Sequence, residues 1–130
     1  MTRATEADPT RRGAEIRGRR AEALAALLLR MKFYRILARR YRTPVGEIDI
    51  VARHGKVIVF VEVKERSSEA EAIEALTAGG RKRIARAADL WVAAHPAAAG
   101  LDRRFDVILA VPGRWPRHLV SVLDERGGFW

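Results

Sequence analysis

The chain has 130 residues, 48% hydrophobic and 32% charged, which suits one domain with a hydrophobic core and argues against disorder over most of its length. Twenty-five Lys and Arg against 16 Asp and Glu leave a formal charge of +9, a field that attracts anions and makes nucleic acid the leading class of partner. The absence of cysteine excludes disulfides and thiolate zinc sites, and His54, His95 and His118 have no ligand spacing. Twenty-one of the 25 cations are Arg and alanine is abundant, so part of this charge reflects composition rather than a binding face.

Residues 1–12 lack periodic apolar positions and contain Pro9, so they read as a flexible tail ahead of a single domain over 13–130. A first helix is predicted from about Glu15 to Met31, with Leu24, Leu27, Leu28 and Met31 at helical spacing. Its stretch "ALAALLL" is too short to span a bilayer and meets Arg30 at once, and Glu22 interrupts any signal-peptide pattern. A cytoplasmic protein without a membrane partner is expected. "FYRILARRYR" reads as a strand that ends at Thr43-Pro44, and residues 46–53 and 57–64 read as a hairpin turning at His54-Gly55-Lys56. "SSEAEAIEALTAGG" offers Ser67 or Ser68 as a cap for a short acidic helix or loop. A second long helix, "RKRIARAADLWVAAHP", puts Ile84, Ala88, Trp91 and Val92 on one face and stops before Pro96. Strands at 103–111 and 118–124 complete the order αβββαββ, an α/β fold with a mixed β-sheet flanked by helices.

The hairpin carries the chemistry. Side chains alternate along a strand, so Ile58, Phe60, Glu62 and Lys64 share one face, and Glu47, Asp49, Val51 and Arg53 share one face of its neighbour. Pairing Arg53 with Lys56 sets Glu47 opposite Glu62, and a slip of two residues sets Asp49 there instead; an intermediate register separates the carboxylates. Two carboxylates close together on an apolar sheet repel each other unless a cation lies between them. Their hard oxygens suit Mg²⁺, or Mn²⁺, which completes its shell with water and phosphate oxygens, while Lys64 stands ready to position an attacking water. That chemistry is metal-assisted phosphodiester hydrolysis. The alternative is a half-exposed strand end whose Glu62 and Lys64 make ordinary cross-strand pairs with Arg53 or Lys56. A compact ammonium at Lys64, in a chain that uses Arg for most of its cations, favours the site.

"GEIDIV" and "VFVEVKERSS", preceded by "GRRAEALAALLL" and followed by "GGRKRIARAADLWV" and "RFDVIL", resemble the YraN-like family of uncharacterised bacterial proteins over about residues 15–111. That family in turn resembles archaeal Holliday-junction resolvases and the restriction-endonuclease-like superfamily, whose signature is an Asp, a spacer and Glu-x-Lys. Here these are Asp49, twelve residues, and Glu62-Val63-Lys64, with Ile48 where the superfamily often has proline. The resemblance implies a restriction-endonuclease-like core, Asp49 and Glu62 as metal ligands with the Val63 carbonyl, Lys64 as the catalytic lysine, and Glu22 as a further acid from the first helix. It also implies DNA, branched or otherwise structured, as substrate. Symmetric cutting of two strands would require a homodimer.

Arg66, Ser67 and Ser68 follow the Glu-x-Lys segment, where they would hold phosphate oxygens or simply cap a helix. Arg81, Lys82, Arg83 and Arg86 crowd a helix start, where cations oppose the macrodipole unless an anion is present, so they are expected to contact nucleic acid. Asp106, on an apolar strand, reads as a buried partner for an Arg in preference to a supporting group near the site, and Trp91 and Phe105 read as core. The expected function is a Mg²⁺-dependent nuclease. The alternatives are a non-catalytic nucleic-acid-binding module on the same fold, and a general interaction protein whose charge is compositional.

Overall fold

The computed structural model describes residues 9–77 and 81–123. The elements are α1 (Pro9–Met31), β1 (Arg35–Thr43), β2 (Gly46–His54), β3 (Val57–Glu65), α2 (Glu69–Thr77), α3 (Arg81–Ala94), a 3₁₀ turn (Pro96–Ala98), β4 (Asp102–Ala110) and β5 (Arg117–Leu123). The strands lie in sequence order in one sheet, antiparallel except for β3 and β4, which run parallel. A parallel pair needs a crossover, and α2 and α3 supply it. The result is the expected mixed α/β architecture, compatible with a nuclease-like core. Among the described residues no helix is long and apolar enough to cross a membrane.

Three features differ from the sequence pattern. Helix α1 begins at Pro9 and takes in residues 9–12, assigned above to a tail; proline is tolerated there because the first helical amides have no partner in any case. Residues 1–8 lie outside the described residues. The acidic segment after Ser68 is a true helix, so the order is αβββααββ. Its start is a capping box: the Glu71 N–H donates to Ser68 Oγ at 3.2 Å, and the Glu71 carboxylate accepts from the Ser67 and Ser68 hydroxyls.

The third difference is the buried face of α1. Leu27 and Met31, placed on the apolar stripe by spacing, are about half exposed, while Ala21, Ala25, Ala26, Leu28 and Leu29 face inward. Small alanines let the helix axis approach the sheet closely, and Leu28 and Leu29 then fill the space over Ile50, Ala52, Val59, Val61 and Ile108. The rotation carries Glu22, next to Ala21, onto the buried side. On the other face of the sheet, Ile84, Ala88, Trp91 and Val92 of α3 pack on Val51, Ile58, Phe60 and Phe105 as expected. Phe60 meets Trp91 edge-on at 5.8 Å and Phe105 face-on at 5.4 Å. Each large apolar side chain buried in these layers contributes about 1.5–3 kcal/mol before the entropy of ordering it is counted.

The end of α1 holds a strained residue. The Tyr34 N–H reaches the Leu29 carbonyl and the Phe33 N–H reaches that of Arg30, both at 2.9 Å, a Schellman closure whose left-handed position usually takes glycine. Phe33 occupies it at φ +68 and is 90% exposed. Because the ring gains almost no burial in return, Phe33→Gly is expected to raise unfolding stability by about 0.5–1 kcal/mol, read as a higher urea midpoint at unchanged slope.

Candidate metal and phosphate site

The β2–β3 ladder runs from His54 opposite Val57 to Ile50 opposite Val61, the register that brings Asp49 to the position across from Glu62. The ladder's backbone pairing stops there. The next β3 amide facing β2, Val63 N–H, is taken at 2.7 Å by Asp49 Oδ2, so the carboxylate continues the ladder in place of a carbonyl. Amide and carbonyl of one strand residue point to the same neighbour, so the Val63 carbonyl also faces the β2 side, beyond the last backbone pair.

A kink sets the direction of Asp49. Arg40, which the β1–β2 register places opposite Asp49, has φ +52. Alternation breaks on both strands at this level. Ala38 and Tyr41 pack toward α3, as do Ile48 and Val51, while Arg39, Arg40 and Ile50 turn toward α1. Irregularities of this kind re-aim side chains. The expectation that Asp49 shares a face with Val51 is therefore corrected: Asp49 opens into a cavity of about 340 Å³ on the α1 side, lined also by Gly18, Arg19, Glu22, Arg40, Arg42 and Glu47.

Glu22 lies 7% exposed on this wall and is gripped by two arginines, Arg39 Nε at 3.2 Å and Arg40 Nε at 2.8 Å. Hydrogen bonding to Glu22, reinforced by its charge, holds the Arg40 guanidinium pKa above its usual value. Glu47 pairs with Arg42 at 3.0 Å on the exposed rim. Among the described residues no cation forms such an ion pair with Asp49. Burial first of all, with added repulsion from Glu62, Glu47 and Glu22, pushes its pKa up to about 6, although the Val63 N–H pulls the other way. A half-buried carboxylate that no described cation pairs directly, beside three others, is an unfavourable arrangement that a bound cation would relieve.

Glu62 and Lys64 form an ion pair of 2.7 Å, both side chains about a quarter exposed. Alternation about Val61 and Val63, which face α1, puts this pair toward the other side of the strand, and neither residue lines the Asp49 cavity. Glu62 is nevertheless close enough to raise the Asp49 pKa. Among the described residues no three Asp, Glu or His side chains form a ready-made metal cluster. Mg²⁺ needs only one or two carboxylates and keeps several waters; Asp49 and the Val63 carbonyl offer hard oxygens on the cavity side, and Glu62 would join them only by leaving its pair with Lys64.

The basic residues divide. Arg83 and Arg86 are exposed on α3, and Gly46, at φ +155, sits so close to this helix that an added Cβ would lie 3.2 Å from Arg83 Cβ. That contact seats the start of α3 against the β1–β2 turn, three residues before Asp49. The side chains of Arg81 and Lys82 lie outside the described residues. Arg66 donates to the Glu65 carbonyl at 2.7 Å, and Ser67 is engaged by Glu71, so the capping role expected as an alternative holds for this pair of serines. Sequence reasoning missed Arg19, Arg40 and Arg42 as cavity residues and Arg39 as a second partner of Glu22. The available signal was the tandem Arg39-Arg40, two cations in succession on a strand whose faces should alternate.

A mixed five-stranded sheet with helices on both faces and an acid-lined cavity at one end defines an α/β protein whose architecture is compatible with nuclease-like cores. Over residues 21–110 the chain matches the model of the uncharacterised protein family UPF0102. It is 46% identical over 121 residues to a UPF0102 protein of Chelativorans sp. (strain BNC1), covering 93% of this chain and 98% of the relative. Against a UPF0102 protein of Rhizobium johnstonii it is 51% identical over 111 residues, 85% of this chain and 91% of the relative. Against one of Parvibaculum lavamentivorans the identity is 54% over 104 residues, 80% and 78% of the two chains. The chain belongs to the UPF0102 family, in agreement with the YraN-like resemblance of its motifs.

Proposed function

We propose that this protein is a Mg²⁺- or Mn²⁺-dependent nuclease acting on DNA, branched or otherwise structured. The observation that carries the reading is Asp49: half-buried, without an ion-pair partner among the described residues, its pKa pushed up to about 6, and opening into a cavity rimmed by arginines. Asp49, Glu62 and the Val63 carbonyl would hold the ion. When bound, it would polarise the phosphate and lower the cost of ionising water. Arg19, Arg40 and Arg42 line the cavity and suit non-bridging phosphate oxygens, and the exposed Arg83 and Arg86 of α3 would meet phosphates farther along the strand. Lys64, fixed by Glu62, has further N–H donors to orient a water; that water's oxygen would bond to phosphorus and give up a proton to solvent as the bond to one sugar oxygen breaks, and the leaving oxygen would take up a proton from solvent.

The test is cleavage of linear duplex, single-stranded and four-way-junction DNA with and without Mg²⁺. Wild type should cut only with the metal, and Lys64→Ala should slow cutting by about 10²–10⁴-fold with DNA binding retained. Cutting that survives Asp49→Asn, or that needs no metal, contradicts the proposal. A second reading, a nucleic-acid-binding module without hydrolysis, draws support from the pairing of Glu22 and Glu62 with cations of the same chain. Binding that weakens steeply with salt and no cleavage on any substrate would favour it.

A further inference from the structure

The loop between β4 and β5 carries an exposed tryptophan that the proposed hydrolysis does not use. Trp115 is 61% exposed and stands between Arg114 and Arg117. Its backbone is fixed on both sides: the Arg114 N–H closes a turn onto the Val111 carbonyl at 3.1 Å with Gly113 at φ +78, and Pro116, which follows, is buried. Proline also holds the residue before it in an extended conformation. Both flanking guanidiniums reach back to one carboxylate at the start of α2, Arg114 to Glu69 at 3.1 Å and Arg117 to Glu69 at 2.6 Å. Two cations on one anion leave the loop positive. The ring is thus presented to solvent by an ordered support, at little further entropic cost for anything that stacks on it.

The loop's place in the fold gives the ring its meaning. β3 and β4 are parallel, so the loop leaves the same end of the sheet as Glu62 and Lys64, and Arg66 N–H bonds the Ala110 carbonyl just before it. Pro112 shares a cleft with Arg20, Leu24 and Glu65, on the helix turn next to Arg19 and Glu22 of the Asp49 cavity. The other large exposed apolar residues lie on α1 and its end, on β1 and its turn, and on α3 and β5; in this loop Trp115 is the one large apolar side chain. A protein partner would call for a contiguous apolar patch, whereas a lone flat ring between cations suits a flat base attached to phosphates.

We infer that Trp115 is a stacking platform for an unpaired nucleobase, at the end of the sheet that carries Glu62 and Lys64, with Arg114 and Arg117 facing the adjoining phosphates. This rests on the nucleic-acid reading of the site and adds a substrate class to it: strands with unpaired bases next to the point of cutting. A fully stacked duplex offers no free base face to the ring.

The test separates binding from cleavage by omitting divalent ions. Fluorescence anisotropy would compare the full-length protein and its variants on a dye-labelled single strand, a blunt duplex and a four-way junction in EDTA at one ionic strength. Trp115→Ala should weaken single-strand binding by about tenfold, leave duplex affinity within about twofold, and keep the wild-type melting midpoint. Trp115→Phe should restore most of the loss. Equal weakening on single strand and duplex, no change with Trp115→Ala, or no binding to any of the three overturns the inference. Absence of metal-dependent cutting with the stacking signature intact would count against hydrolysis alone.

Discussion

Replacing Asp106 by alanine is expected to cost about 3–5 kcal/mol, a large share of the 5–15 kcal/mol that holds a domain of this size together. Asp106 is fully buried and accepts from three directions. Arg104 donates through Nε at 2.9 Å and Nη2 at 2.8 Å, His118 Nε2 donates at 2.7 Å, and the Ser121 N–H at 3.0 Å. With Nε2–H committed, His118 Nδ1 accepts from Lys32 at 2.9 Å, and Arg104 Nη2 also reaches the Tyr34 hydroxyl at 2.6 Å. One carboxylate therefore ties the end of α1, the start of β1, and β4 to β5. Its removal would strand a partly buried guanidinium and the backbone amide of Ser121, a residue at φ +55.

Burial alone would raise the Asp106 pKa, but the His118, Arg104 and Ser121 hydrogen bonds outweigh it and hold the carboxyl below its ordinary value. A depressed folded pKa means the contribution is complete above the unfolded value of about 4 and is lost as pH falls through the folded one. Urea unfolding at pH 7 and in acid would measure both effects. Asp89→Ala is the contrasting control: its pair with Arg103 is solvent-exposed, and the loss should stay below about 1 kcal/mol.

The second large effect has the opposite sign. Asp49 has a folded pKa of about 6 against an ordinary 3.8, so the folded state holds its proton more tightly than the unfolded one. The stability this provides is complete below about pH 4 and is lost as pH rises through about 6, an effect on the order of 2–3 kcal/mol. Asp49→Asn, which cannot ionise, should therefore be more stable than wild type by about that amount at pH 7.5 in EDTA, and nearly equal to it at pH 4. Adding Mn²⁺ should narrow the difference from the wild-type side alone, by about 2.7 kcal/mol at a hundred times the dissociation constant. A carboxylate that weakens the metal-free fold at neutral pH is what a cation site requires, whereas a structural carboxylate resembles Asp106.

Much of the fold was legible because it rests on periodicity. The apolar run of β3, the short β2–β3 connection and the Ile84–Ala88–Trp91 face of α3 are all local patterns. Asp49 falls opposite Glu62 in one of the two registers that the carboxylates favoured. The α1 face misled because alanine carries little hydrophobic signal, yet its small size decides which side can approach the sheet. The cavity was less legible. Strict alternation does not foresee a left-handed Arg40, and with it the turning of Asp49 toward Glu22 away from the face of Val51. Nor does spacing say that Arg39 and Arg40, far along the chain from Glu22, would both meet its carboxylate.

Calorimetric titration of Mn²⁺ at pH 6, repeated in buffers of different ionisation enthalpy, tests the role of Asp49 most directly. With its pKa at about 6, Asp49 is about half protonated at that pH, so ion binding should release about half a proton per site, falling toward none at pH 7.5. Asp49→Asn should lose both the binding and the proton release. Identical heats from wild type and Asp49→Asn, or binding without proton release at pH 6, would contradict a cation site built on Asp49.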